Sequence, residues 1–218
     1  MIAIDGPSAS GKGTVARLVA ARLGFHYLES GALYRLVALS SQLQAMAEND
    51  EPRLAELALN LDARFQGRHI YIENHDVSLH LHTEECGARA SAIARLPKVR
   101  TALLKRQRGF RNPPGLVADG RDMGTVVFPD AELKVFLTAS VAERAQRRYK
   151  QLKEKGFDAS LPALSRDLET RDAQDANRAV APLKPARDAV ELDTTDLAIE
   201  DAVERIVAWF GERKALNK

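Results

Sequence analysis

The apolar run Met1-Ile2-Ala3-Ile4 is followed almost at once by Gly6-Pro7-Ser8-Ala9-Ser10-Gly11-Lys12-Gly13-Thr14, which opens a helix-patterned stretch. A strand that turns through glycines into a helix presents successive backbone N–H groups, and the positive end of a helix dipole, to an anion. The glycines let the chain wrap close to phosphate oxygens without a Cβ in the way, and Lys12 adds a mobile charge for the outer phosphates. The spacing G-x-x-x-x-G-K is met with one departure: Gly13 stands where a hydroxyl residue usually follows the lysine, and the hydroxyl moves to Thr14. A magnesium ion beside this loop is then expected to depend mainly on phosphate oxygens and water, with Thr14 as a candidate contributor. Strand, loop, lysine and helix in this order outweigh the plainer reading of a packing turn.

Further apolar runs at residues 25–28, 116–118, 133–137 and 190–192 alternate with helical patterns. The alternation predicts an α/β fold of the P-loop NTPase type, a parallel sheet of about five strands with helices on both faces. Ligands of such sheets collect beyond the carboxyl ends of the strands, where residues 6–14, 29–31 and 119–122 and Asp193 all fall. The interval from Leu33 to Pro114 is too long for one crossover. Within it Phe65, Ile70, Ile72 and Val77 alternate with polar residues, and residues 66–68 and 73–76 read as turns. A small antiparallel sheet is expected there, followed by helices over residues 83–95 and 98–110. The charged stretch 143–155, ending at Gly156, reads as a helix of a mobile cover. The expected organisation is a single kinase-like chain. Its core is 1–29, 114–142 and 179–218, with a substrate lobe over about 30–113 and a helical lid over about 143–178.

Composition excludes several classes. With 45% hydrophobic and 28% charged residues, the 218-residue chain reads as a soluble globular protein. No apolar run approaches the roughly 20 residues that span a bilayer, so no membrane association and a cytoplasmic location are expected. Cys86 alone supports neither a disulfide framework nor a thiolate zinc site. His69, His75, His80 and His82 lack the companions that would force a metal site, although His80 and His82 would share one side of a strand. A formal charge of +2 does not suit a nucleic-acid-coating protein, and Lys98, Arg100, Lys105, Arg106, Arg108 and Arg111 spread around a helix with no accompanying aromatic series. The tail over 199–218 carries the stripe Val203, Ile206, Val207 and Phe210, which is expected to pack on the sheet of a monomer, with dimer support as the alternative.

Three more segments carry chemistry. In Glu29-Ser30-Gly31-Ala32-Leu33-Tyr34-Arg35, a turn enters a helix where Arg35 can fork onto phosphate and Tyr34 can pack on a base or sugar. In Asp119-Gly120-Arg121-Asp122-Met123-Gly124, Asp119 can orient magnesium-bound water or the loop hydroxyl, Arg121 can hold phosphate, and Asp122 can accept hydrogen bonds from a base. Arg171, Asp175 and Arg178 share one helical face by spacing, as do Arg144, Arg147 and Arg148.

Together these segments resemble the bacterial cytidylate kinases, the (d)CMP branch of the nucleoside monophosphate kinases. The likeness runs through Ile4-Asp5-Gly6-Pro7-Ser8, Gly11-Lys12-Gly13-Thr14 and Ser30-Gly31-Ala32-Leu33-Tyr34-Arg35. It continues through the eleven-residue string D-G-R-D-M-G-T-V-V-F-P, which begins at Asp119 and ends at Pro129, and closes with Arg171-Asp172, Asp175, Asn177-Arg178-Ala179 and Ala181-Pro182-Leu183. Glu29 departs from the family's usual Asp before Ser-Gly. The resemblance implies that ATP-Mg sits on residues Gly6 to Thr14, with Asp119 as a further candidate near the metal. It implies that CMP or dCMP is the acceptor. Arg100 and Asp122 would read cytosine, with Ser91 near base and sugar. Ser30, Arg35, Arg121 and Arg178 would engage the monophosphate or fix the base, Arg171 and Asp175 would hold the sugar, and Arg147 and Arg148 would cover the transferred phosphate. Lys12, Arg121, Arg147, Arg148 and Arg178 are thus the expected catalytic cations.

The chemistry of cytosine agrees, because its N4 amino group donates toward a carboxylate where uracil presents an oxygen. In-line attack by a monophosphate oxygen on the γ-phosphate needs alignment and charge stabilisation, and no protein nucleophile. A P-loop kinase for another small acceptor, such as UMP, is the alternative. A nucleotide switch with no acceptor site leaves Arg100, Asp122, Arg171 and Asp175 unexplained.

Overall fold

Apolar, β-branched residues drive the first strand of the chain into the centre of a sheet. In the computed structural model, which describes residues 1–66, 69–154 and 156–216, β1 (Ile2–Asp5) is buried throughout. It lies between β6 (Leu116–Gly120) and β7 (Leu133–Thr138), and the order β2-β6-β1-β7-β8 is completed by β2 (His26–Glu29) and β8 (Val190–Asp193). The registered pairs are parallel, with Ile4 opposite Asp119 on one side and Val135 on the other. Each expected core strand is present: four are lengthened by a residue or two toward the polar end, and the expected 25–28 is shifted by one to His26–Glu29.

Alternation sorts the two faces. Ile2 and Ile4, Val117, and Leu133, Val135 and Leu137 point to one side, where they pack with Val15, Ala16, Val19 and Ala20 of α1 (Lys12–Leu23) and Val203, Ile206 and Phe210 of α8 (Ile199–Leu216). The tail stripe therefore packs into the main core, and Phe25 meets Phe210 edge-on with centroids 5.6 Å apart. The opposite face carries Ala3, Asp5, Leu116, Ala118 and Lys134 by the same alternation.

The described chain divides into two compact units, Met1–Leu28 with Phe110–Lys218, and Glu29–Gly109. The first also holds α6 (Val141–Glu154) and α7 (Leu161–Ala176), the helices of the expected lid segment. The second contains α2 (Ser30–Leu43), α3 (Glu51–Leu59), α4 (Glu84–Ile93) and α5 (Pro97–Gly109), around Leu33, Leu36, Leu54, Ile93 and Leu103. It also holds the antiparallel sheet β3 (Ala63–Gln66), β4 (His69–Ile72) and β5 (His75–Asp76). The turn between β4 and β5 is shorter than residues 73–76 because Glu73 and Asn74 both take positive φ, at 47° and 72°, which closes a two-residue hairpin. Gly67 and Arg68 of the other expected turn, Lys155, and Asn217 and Lys218 of the tail lie outside the described residues.

Two local expectations change. His80 and His82 sit in a 3-10 turn, not a strand, and Leu81 between them is buried. Arg178 lies beyond α7, because the Asn177 side chain and backbone N–H both close onto the Ala173 carbonyl and end the helix. Its side chain nevertheless reaches back to Asp175.

Candidate active site

Gly6 leaves the end of β1 against the next strand: a Cβ there would stand 2.1 Å from the Leu137 carbonyl oxygen. Only glycine fits. Ala9 and Gly11 take positive φ of 59° and 90°, and Gly11 caps α1, so Lys12 begins the helix whose amino end faces the loop. The loop carbonyls are held by cations. Lys12 Nζ donates to the Pro7 oxygen at 3.0 Å, Arg144 Nη1 to the Ser8 oxygen at 3.2 Å, and Arg147 Nη1 to the Ser10 oxygen at 3.0 Å. The buried Ser10 hydroxyl has no partner among the described residues. Tying carbonyls from outside fixes the peptide planes of an anion nest before any anion arrives.

Arg144 does more than the spacing of its helix suggested. It is buried, forks onto both carboxylate oxygens of Asp172, and donates through Nε to the Ala139 carbonyl at 2.9 Å. Three functions fall on one guanidinium: it ties α6 to α7 and both to the loop. Arg147 is likewise turned inward, to Ser10, Glu143 and Thr194, while Thr194 Oγ1 donates to the Thr138 carbonyl at 2.9 Å. Arg148 donates to Gln151 at 2.6 Å on the exposed side.

Ser8 receives a second arginine. Arg121 Nη2 donates to Ser8 Oγ at 2.7 Å, and its Nε donates to Asp175 Oδ2 at 2.8 Å. The other Asp175 oxygen takes Arg178. Burial alone would push the Asp175 carboxyl up, but Arg121 and Arg178 overcome it and hold the group below the usual carboxylate range. Two of the expected cations are thereby gathered by one buried carboxylate beside the phosphate loop.

Asp119 and Asp122 are both buried on or after β6. Tyr27 donates its hydroxyl to Asp119 Oδ1 at 2.8 Å. A Cβ at Gly13 would lie 3.5 Å from the Tyr27 oxygen and 4.0 Å from both Asp119 oxygens. The unusual glycine after Lys12 thus keeps clear a space walled by a carboxylate. Hard oxygen donors of this kind suit magnesium carried by phosphates. Among the described residues no group of three or more His, Cys, Asp or Glu gathers to hold a metal ion by itself.

The second unit carries most of the remaining expected residues. Ser30 is buried at the start of α2, and Tyr34 lies four residues on, under Arg100, whose guanidinium carbon stands 6.0 Å from the ring centroid. Arg100 also donates to the Ala94 carbonyl at 3.1 Å. Arg35 donates to the Leu81 carbonyl at 2.6 Å. Ser91 is half-buried on α4, and Arg171 is half-buried on α7 of the first unit. Asp193 accepts from the backbone and hydroxyl of Thr195 within its own turn. Cys86 is a core residue whose thiol burial pushes up.

Sequence reasoning did not single out Asp172, Thr194 or Asp5 as parts of the site. Asp5 is buried and accepts the backbone N–H groups of Met123 and Gly124 at 2.7 and 2.8 Å. Its carboxyl is pushed up to about 6, chiefly by burial. A carboxylate at the end of an otherwise apolar strand was the available signal for it.

Comparisons with known proteins agree with this architecture. The cytidylate kinase family model matches residues 2–212. Cytidylate kinase of Ralstonia pickettii is 55% identical over 218 residues, 100% of this chain and 94% of the relative. That of Burkholderia thailandensis is 59% identical over 212 residues, 97% of this chain and 93% of the relative. In fold, the chain is similar to a gluconokinase from Sinorhizobium meliloti 1021, with a TM-score of 0.52 at 15% identity over 99% of this chain and 94% of that one. With the family model and relatives above half identity spanning nearly its whole length, the chain belongs to the cytidylate kinase family.

Proposed function

We propose that this chain transfers the γ-phosphoryl group of ATP to CMP and to dCMP, giving CDP and dCDP by direct in-line displacement. The observation that carries the reading is Arg121, joined at once to Ser8 of the phosphate loop and to the Asp175–Arg178 pair. Two cations gathered beside a phosphate loop by one carboxylate, Asp175 of α7, supply what phosphoryl transfer needs, charge stabilisation at a fixed place. The relatives' name supplies the acceptor.

In this reading the loop Gly6 to Thr14 binds ATP, and Lys12 reaches its outer phosphates. Magnesium, when bound, neutralises phosphate charge, and Thr14 and Asp119 are the protein groups assigned to its waters. Arg121 and Arg178, with Arg147 and Arg148 from the lid, are assigned to the charge that builds on the transferring group. Asp122 and Arg100 are assigned to cytosine, Ser91 to its vicinity, and Ser30, Tyr34 and Arg35 to the monophosphate and base. Arg171 and Asp175 are assigned to the sugar. Asp122 favours the N4 amino group of cytosine and repels the O4 of uracil, so CMP is preferred over UMP. The enzyme is proposed to act as a cytoplasmic monomer without nucleic acid; among the described residues no helix is long and apolar enough to cross a membrane.

The test is ATP consumption measured with a panel of nucleoside monophosphates. CMP and dCMP are expected to be the efficient acceptors. Faster phosphorylation of UMP than of CMP, or ATP hydrolysis indifferent to acceptor, overturns the proposal.

A further inference from the structure

The turn that carries Arg121 and Asp122 leaves β6 and winds into one wide turn of π-helix, Met123–Val127. The Asp122 carbonyl accepts from both Val126 and Val127, at 2.9 and 3.1 Å, and Phe128 closes onto the Met123 carbonyl at 2.7 Å. Wide turns of this kind are rare and occur mostly at functional sites, and side chains from neighbouring strands pack against this one. Two partners are present. Asp5, from the end of β1, takes the N–H groups of Met123 and Gly124, one on each carboxylate oxygen, across more than a hundred residues of sequence. Beside Asp5, on the same face of the sheet, the buried stem of Lys134 lies against Gly124, where an added Cβ would come within 3.2 Å of Lys134 Cγ and Cδ and 3.4 Å of Asp5 Oδ2. Lys134 is itself anchored by Asp188, with Nζ to Oδ1 at 3.0 Å.

We infer that Asp5 is a positioning residue for the acceptor: through the backbone of Met123 and Gly124 it fixes the turn that presents Arg121 and Asp122. The inference rests on the assignment of those two residues to the acceptor nucleotide. An ionised carboxylate is suited to the task because it offers two acceptors on one planar head and no competing donor. Asparagine has the same shape but turns one acceptor into an amide NH2, which then faces a backbone N–H. Asp5 ends the strand that leads into the phosphate loop, but its carboxylate bonds run to the turn, at Met123 and Gly124.

The experiment is steady-state kinetics of Asp5→Asn with ATP, CMP and UMP, beside Asp122→Ala and the unsubstituted enzyme. Displacing a clamp by even a fraction of an ångström weakens what it presents, so kcat/KM for CMP is expected to fall by roughly tenfold to a hundredfold in Asp5→Asn. The preference for CMP over UMP narrows with it, while the KM for ATP stays within about twofold. A general loss of structure would move the ATP and CMP constants together and leave the preference intact, and that pattern overturns the inference. It is also overturned if Asp5→Asn keeps the CMP constant and the preference while Asp122→Ala loses both. If Asp122→Ala changes neither, the assignment of Asp122 fails first, and the inference with it. Should Asp5→Asn not fold, amide hydrogen exchange in the unsubstituted protein decides: CMP alone is expected to slow exchange at Met123 and Gly124, and unchanged exchange counts against positioning.

Discussion

The phosphate loop and the small sheet β3–β5 are both turns held by polar side chains, yet they are held in opposite ways. In the sheet the bonds are short-range and exposed: Arg64 to Asn74 at 3.0 Å, His69 to Asp76 at 2.7 Å, and Ser78 to Asp76 at 2.6 Å. In the loop, besides the local Lys12 bond to Pro7, the bonds come from far along the chain and are partly buried: Arg121 and Arg144 to Ser8, and Arg147 to Ser10. A local hairpin forms wherever its own sequence directs it. The loop is tied to residues of α6 and of the turn after β6, which makes its geometry depend on distant parts of the first unit.

The contrast is broken most severely by removing the charge assigned above to the phosphates of ATP. Lys12→Ala deletes the loop cation and the bond to the Pro7 carbonyl. The kcat for CMP is expected to drop on the order of a hundredfold to a thousandfold, as for other preorganised electrostatic groups. A coupled ATP-consumption assay measures it, and a drop of only a few fold would move the burden of catalysis elsewhere.

Arg144→Ala comes next, and it tests whether remote ties matter as much as direct ones. Asp172 would lose both of its guanidinium bonds, and the Ser8 and Ala139 carbonyls would lose one each. Breaking a buried pair costs about 3–5 kcal/mol; with Asp172 partly exposed, about 3 kcal/mol is expected. Denaturant unfolding measures that, and the KM for ATP is expected to rise about tenfold as the loop loosens. Arg144→Lys should recover little of it, because an ammonium cannot reproduce the fork.

Asp5 sharpens the comparison through pH. Its folded value of about 6 lies above its ordinary value of 3.8 because burial disfavours the charge. Between these two values the folded chain keeps a proton that the unfolded chain has released, so this group's contribution falls as pH rises from about 4 to 6. The full penalty above pH 6 is about 3 kcal/mol at most. Asp175, held low by its two arginines, has the opposite sign: its contribution is present above the ordinary carboxylate value and is lost as pH falls below it. Unfolding free energies of wild type and Asp5→Asn at several values between pH 4.5 and pH 7.5 check the first claim. Parallel curves would refute it.

The same contrast explains what was legible in the sequence. Strands such as 133–137 and the stripe Val203, Ile206, Phe210 are apolar because they are buried, so a single chain displays them. The phosphate loop is legible because glycine, lysine and the strand-to-helix order leave few other uses. Arg144 was not, since an arginine in a charged helix looks solvated until its partners are known. Those partners are Asp172, 28 residues away, and Ser8, 136 residues away. Asp5 was hidden similarly: its partners are backbone N–H groups, which every residue has. The end of α7 before Arg178 escaped periodicity because a single Asn177 cap decides it.

The smallest effect belongs to the sheet, and it is where the comparison is most exposed to refutation. Asp76 is held at about 2, below its ordinary 3.8, by the hydroxyl and backbone of Ser78 and then by His69. A depressed carboxyl contributes stability that is present at neutral pH and is lost as pH falls from about 4 toward 2. The group is exposed, so screening leaves little of that contribution. Asp76→Ala is therefore expected to shift the melting temperature at pH 7 by less than about 2 °C. The kinetic constants for CMP are expected to stay within about twofold, because the substitution removes only local bonds on an exposed hairpin. Thermal unfolding and the acceptor assay together measure this. A shift as large as that of Arg144→Ala would mean that exposed, short-range bonds organise this protein as strongly as buried, long-range ones, and the distinction between its two kinds of turn would not stand.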